Sequence, residues 1–276
     1  MPRDPELAAQ IKERQWFHSI DLGDGLVTKG LPPSKLIARS FPDVAGKSVL
    51  DIGAWDGKYS FQAEAAGAVR VVALDHYVWR LDFRGRQAYY DDCESKGLLP
   101  DPEMVDRGFL IEDGSLPGKL GFDMAHRYLD SRVESVVDDF MTMDLEALGT
   151  FDVVLYLGVL YHMVDPIGAL RRVRRVTGSL AVIETAAVHV PYYEGCNLVG
   201  FYAANELEGD YSNWFAPTAT ALEGMCRAAG FKSVEIVARS PRLAVPGWRL
   251  RSALHGLRQS GRMRPVRGRI VAYAHV

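Results

Sequence analysis

The sequence predicts an α/β fold, doubly wound on a mainly parallel seven-stranded sheet with inserted segments at the substrate end. Three observations lead there. Short β-branched runs alternate with helix-patterned stretches, the first run ends in a glycine turn, and carboxylates close three successive runs.

The elements follow in order. Residues 47–53 read as a buried strand ending in a turn, with a helix continuing to about residue 66. Strands are expected at 70–75, 133–137, 152–156 and 179–183; runs this continuously apolar suit a parallel sheet covered on both faces. A helix at 219–229 is stopped by Gly230, a strand at 234–238 follows, and 269–274 is the last strand. Residues 1–45 form an N-terminal extension expected to act as a lid, and 46–276 form the main domain. Inserts at 76–132 and 185–215 fall where such sheets build their ligand sites, beyond the carboxyl ends of the strands. Within the first insert, Phe122, Ala125 and Leu129 mark the core face of a helix over 121–129, and His126 is given no chemistry.

Composition narrows the class. The chain has 276 residues, 32 Lys+Arg against 35 Asp+Glu, and 48% apolar residues, which excludes a disordered, collagenous or coiled-coil chain. No apolar run approaches the roughly 20 residues of a membrane span, and the first residues carry no export signal. Three separated cysteines, Cys93, Cys196 and Cys226, form no disulfide framework or zinc pattern, so a cytoplasmic chain with reduced thiols is expected. After Glu235 only basic charge remains, from Arg239 to Arg269; that stretch carries +9 of a total of −3, so the preceding residues carry −12. Such a stripe can meet phosphate or pair with the acidic body, and the second is favoured.

The central motif is Val49-Leu50-Asp51-Ile52-Gly53-Ala54-Trp55-Asp56-Gly57. Trp55 and Lys58 stand where a dinucleotide fingerprint would have glycine, so the backbone cradle for a pyrophosphate is absent. Asp51 and Asp56 would repel phosphate and suit a cationic ligand; S-adenosyl-L-methionine (SAM), with its ammonium and sulfonium, fits. Asp75, ending the second strand with His76 beside it, can accept from both ribose hydroxyls. Asp139 can accept from an adenine amino group while Phe140 offers its backbone amide.

Together with Leu157-Gly158-Val159-Leu160-Tyr161-His162, these segments resemble a class I SAM-dependent methyltransferase, a Rossmann-like family whose seven-stranded sheet has a reversed final strand. The resemblance implies that Asp51, Gly53, Ala54, Trp55 and Gly57 line the cofactor. It also implies that Asp75 and His76 lie at the ribose, Asp139 and Phe140 at adenine, and Leu157 beside the sulfonium. A narrower likeness joins Trp16-Phe17-His18, the spaced Leu22, Gly25, Thr28 and Gly30, Asn213-Trp214 and Ala228-Ala229-Gly230-Phe231. These resemble the tRNA wobble-uridine carboxymethyltransferase group, which holds a carboxylated relative of SAM with basic residues. Arg269 matches a late arginine of that group, but His18 replaces a lysine and Met163-Val164 replace basic residues, so plain SAM is expected.

Methyl transfer to a hydroxyl requires alignment and management of a proton. His162 is the expected base, with Asp165 three residues on to orient it, and His189 is the second candidate. His18, Tyr161, Glu184, Tyr202, Asp210 and Trp214 are expected at the acceptor. The aromatic, acidic stretch from Tyr192 and Tyr193 to Phe215 suits rings that cover C–H faces and carboxylates that hold hydroxyls. A sugar or glycoside is the favoured acceptor, a hydroxylated natural product next, and tRNA the alternative; a SAM-binding regulator without turnover is a third reading. Glu184, His189, Glu206 and Asp210 could gather a divalent cation such as Mg²⁺. No membrane partner is expected, and a homo-oligomer stays open.

Overall fold

The computed structural model describes residues 4–32, 34–190, 195–240 and 266–276. Helices α1 (Pro5–Glu13) and α2 (Lys35–Arg39) precede β1 (Ser48–Ile52), followed by α3 (Lys58–Ala65) and β2 (Arg70–Asp75). The first insert holds α4 (Tyr77–Arg80), α5 (Phe83–Ser95), α6 (Pro102–Asp106) and α7 (Leu120–Leu129), and leads into β3 (Glu134–Val137). Then come β4 (Phe151–Leu157), α8 (Pro166–Val176), β5 (Thr177–His189) and a ribbon of β6 (Val199–Phe201) with β7 (Phe215–Pro217). The described elements end with α9 (Ala219–Ala228), β8 (Ser233–Ser240) and β9 (Val266–His275).

The main sheet has seven strands in the order β3-β2-β1-β4-β5-β9-β8. β1 is parallel to both β2 and β4, and β9 runs antiparallel between β5 and β8. The direction of winding therefore switches between β1 and β4, the point where open α/β sheets bind ligands. Successive residues of each central strand enter opposite cores, which is why the runs are apolar throughout. Val49, Val71, Val153 and Val182 pack with Leu7, Ile11, Trp16, Phe61 and Phe122 on one face. Leu50, Val72, Val154 and Ile183 pack with Leu170, Val173, Leu222 and Cys226 on the other.

Three expectations change. β5 does not stop at Glu184: it pairs with β9 from Leu180 to His189, so Glu184 is mid-strand and the second insert starts at 190 rather than 185. The β6–β7 ribbon is an added element within that insert. The N-terminal extension packs Leu7, Ala8, Ile11, Trp16, Ile20, Leu22 and Leu26 into the main core, while Phe17, His18 and Leu31 reach a cavity wall. Tyr192 and Tyr193, and Arg242, Arg249, Arg251, Arg258, Arg262 and Arg264 of the basic stretch, lie outside the described residues.

Candidate active site

The carboxyl ends of β1 to β4 open into one cavity of about 1070 Å³. Its first half is built by the turn after β1. Gly53 has φ +80°, and a Cβ there would lie 2.5 Å from Val159 Cγ2, so only glycine brings this loop against the loop after β4. Asp51 is buried on the cavity floor, where Ser60 Oγ donates to it at 2.6 Å; burial pushes its carboxyl up to about 6. Asp75 is equally buried and also pushed up to about 6, with its backbone donors opposing the shift. It accepts the N–H groups of Trp55 at 2.9 Å and Val78 at 3.1 Å. Trp55 has φ +48°, takes the Trp79 indole N–H on its carbonyl at 2.5 Å, and stacks on Phe17 with centroids 3.7 Å apart.

His76, Asp139, Phe140 and Leu157 all line the cavity. Asp139 accepts the Met141 N–H at 2.9 Å, and the Phe140 ring meets Tyr156 edge-on. Ala54 and Gly57 are not on the cavity wall. Ala54 is buried beneath it, and Gly57, at φ +81°, caps α3 where a Cβ would strike the rings of Phe61 and Phe122 at 2.5 and 2.6 Å. Asp56 is likewise turned away from the cavity: it accepts the His18 N–H at 2.8 Å and also pairs with His18 Nδ1. That pair ties the N-terminal segment to the loop.

The second half is assembled from distant segments. His162 sits on a short turn, Leu160–His162, with Nδ1 3.0 Å from both the carbonyl oxygen and Oγ of Ser212. A carbonyl only accepts, so the proton belongs on Nδ1 and Nε2 keeps its lone pair. Burial pushes the imidazole pKa down, against the pull of Asp210, so the ring is neutral and basic at Nε2. Ser212 Oγ and N–H both donate to Asp210 Oδ1, at 2.8 and 2.9 Å. Burial opposes the charge of Asp210, but the Ser212 N–H, Arg86 and the Ser212 hydroxyl outweigh it and hold the carboxyl low.

Asp165 therefore does not orient His162. It caps α8 by accepting the Gly168 N–H at 2.8 Å, and the orienting groups are Ser212 and Asp210. His189 is no base at this cavity: it ends β5, buried, with Nε2 3.4 Å from the Ser240 carbonyl. Tyr202 also misses the wall and lies under Arg267. Tyr161, Trp214 and Glu184 do line it. Glu184 is bound by Arg269 Nε and Nη2, and Arg269 Nη1 also reaches Glu208 at 2.9 Å while stacking over the Tyr161 ring. The cluster abuts Gly158, where a Cβ would lie 3.6 to 3.9 Å from Tyr161 Oη, Arg269 Nη2 and Glu184 Oε2.

The proposed Mg²⁺ ligands do not gather. Glu184 is paired with Arg269, His189 is at the end of β5, and Glu206 caps the Ala204 N–H. No group of three His, Cys, Asp or Glu suited to a metal occurs among the described residues. Among the wall residues, Arg86, Tyr59 and Ser212 carry no role in the sequence reading, while Glu208 falls within its acidic acceptor stretch. Arg86 left a trace, because Phe83, Arg86 and Tyr90 fall at i, i+3 and i+7 and share one face of α5.

Comparison with known proteins gives a family and a shared fold. Residues 30–236 match the family described as a methyltransferase domain. The chain is 29% identical over 198 residues to a tRNA U34 carboxymethyltransferase of Pseudomonas savastanoi pv. phaseolicola, covering 71% of this chain and 48% of that protein. A tRNA U34 carboxymethyltransferase of Stutzerimonas stutzeri is 27% identical with the same coverage. The chain thus spans about half the length of the curated relatives it matches. Among solved structures, the N-terminal domain of EvdMO1, crystallised in the presence of SAH and D-fucose, shares the fold. That likeness has a TM-score of 0.56 at 17% identity and covers 100% of this chain and 97% of that one.

Proposed function

The chain belongs to the methyltransferase-domain family, and from that premise we propose that it moves the methyl group of SAM to a hydroxyl of a small molecule, a sugar or glycoside before a hydroxylated natural product. One observation carries the reading. A single cavity joins three acidic strand ends, Asp51, Asp75 and Asp139, to a neutral histidine whose Nε2 has no partner among the described residues.

The first half fits the cofactor. Asp51 and Asp75 are buried carboxyls facing the cavity, and of the arginines that line it Arg80 is paired with Glu112 and Arg269 with Glu184 and Glu208, so the chemistry around the two aspartates favours a cation over a diphosphate. Asp75 would hold the ribose hydroxyls, Asp139 and Phe140 the adenine, and Asp51 would face the cationic amino-acid end, with Leu157 and Gly158 beside the sulfur. When bound, SAM supplies an electrophilic methyl group on a positively charged sulfur. The chain's own residues do the rest. Trp214 and Tyr161 cover the apolar face of the acceptor, His162 Nε2 takes the hydroxyl proton, and Asp210 stabilises the imidazolium through Ser212.

A second reading, tRNA wobble-uridine carboxymethylation, draws on what the similar proteins are named for. Against it, Arg269, the cation at the transfer end, is flanked by Glu184 and Glu208, which leaves that corner net negative and unreceptive to a carboxylated donor. Methyl-labelled SAM offered with methyl glycosides, hydroxylated aromatics and bulk tRNA in parallel separates the readings. Label is expected in the glycosides; label in tRNA alone, or product only from the carboxylated donor, overturns the proposal.

A further inference from the structure

Two of the arginines that line the cavity, Arg269 and Arg86, are in opposite states. Arg269 spends its guanidinium on two carboxylates. Arg86 makes one hydrogen bond among the described residues, from Nη1 to Tyr77 Oη at 3.2 Å. The rest of its contacts are with ring faces: its guanidinium carbon lies 6.0, 5.8 and 5.6 Å from the centroids of Tyr77, Phe83 and Tyr90. Those rings hold the group in place without using its remaining N–H donors.

Asp210 faces it from the second insert. Both line the one cavity, and the Tyr211 ring beside Asp210 packs on Tyr90 at 4.9 Å, the same ring that carries Arg86, yet no ion pair joins the two charges among the described residues. Both hydrogen bonds to Asp210 land on Oδ1, so Oδ2 has no donor among the described residues. A wall with spare donors therefore faces a wall with a spare acceptor, and His162 is linked to the second wall through Ser212.

Resting on the acceptor reading above, we infer that Arg86 and Asp210 form a clamp for a vicinal diol of the acceptor, placing the reacting hydroxyl at His162 Nε2. One hydroxyl oxygen accepts from the Arg86 fork while its neighbour donates to Asp210 Oδ2. A neutral diol satisfies both sides. An anion would satisfy Arg86 but meet the charge of Asp210, so the clamp selects an uncharged polyol over a carboxylate or phosphate.

The test is calorimetric binding to the full chain saturated with S-adenosylhomocysteine, which removes turnover from the measurement. The probes are methyl glycosides with cis diols (fuco, rhamno and ribo), their deoxy partners lacking one hydroxyl, and a methyl galacturonoside. At least one cis-diol glycoside is expected to bind, with its deoxy partner and the galacturonoside weaker. Arg86→Gln and Asp210→Asn should each weaken it about tenfold or more, with S-adenosylhomocysteine affinity unchanged. Arg86→Lys keeps a charge against the rings but loses the fork; it should show the same loss and guards against a folding defect in the glutamine variant. Unchanged diol affinity in all three variants overturns the clamp alone. So does a galacturonoside that binds more tightly than the fucoside and tightens further in Asp210→Asn. A cofactor-loaded wild type that binds no glycoside takes down the sugar reading together with the clamp.

Discussion

The two halves of the cavity are built by different rules. In the cofactor half, each carboxylate ends or follows a strand and is fixed by near neighbours: Asp51 by Ser60, Asp75 by Trp55 and Val78, Asp139 by Met141. In the acceptor half, residues 86, 162, 184, 210 and 269 meet only because the whole sheet and both inserts have closed. Local construction suits a ligand that does not change, and construction from scattered loops lets one fold serve many acceptors.

Variants can break this division. The largest expected effect lies in the acceptor half: His162→Ala should lower turnover by about 10²- to 10⁴-fold while SAM affinity, measured by calorimetry, stays within about twofold. The reciprocal change, Asp75→Ala, should weaken SAM by about a hundredfold, as expected for losing charged hydrogen bonds to two hydroxyls. If either variant damages both halves equally, the halves are not separable.

A smaller effect follows from protons. In the folded chain Asp51 and Asp75 hold theirs up to about 6, whereas an unfolded aspartate releases its proton near about 4. Between those values the native state binds more protons, so these groups make the ligand-free chain lose stability as pH rises from about 4 to 6. Binding of the nucleoside runs the other way: it needs Asp51 ionised towards the ammonium and Asp75 ionised to accept from the ribose hydroxyls, so affinity should fall by about tenfold per pH unit below 6 for each group. Melting temperatures with and without S-adenosylhomocysteine at pH 5 and 7 check both signs. The ligand-induced shift should be larger at pH 7, and Asp75→Asn should reduce the contrast. Smallest is Glu208→Gln, which should leave SAM affinity within about twofold and improve a carboxylated donor several-fold by uncovering Arg269.

The same contrast governs what could be read in advance. All seven strands of the main sheet, and the carboxylates at Asp51, Asp75 and Asp139, are written in short windows where periodicity and a glycine turn suffice. Errors arose where a distant partner decides. β5 runs on to His189 because β9, some eighty residues later, supplies ten paired positions, and no local pattern marks that extension. Asp165 departs from its expected role for another reason. Asp165-Pro166 is a helix-start signature, a capping carboxylate before a proline in the first turn, and that local role is the one it plays. Arg86 was legible only as a charge between aromatics on one helix face, and its meaning depends on Asp210 across the cavity.

The Trp55–Phe17 stack gives the molecule a built-in optical reporter. Trp55 is wired by its amide to Asp75 and by its ring to the N-terminal segment, while Phe83 flanks it from the first insert. Its emission should therefore register a nucleoside arriving at the second strand and any shift of the covering segment, two events otherwise hard to time against each other. Among the tryptophans of the chain, Trp214 also faces the chamber, so paired Phe replacements at 55 and 214 would resolve which compartment fills first.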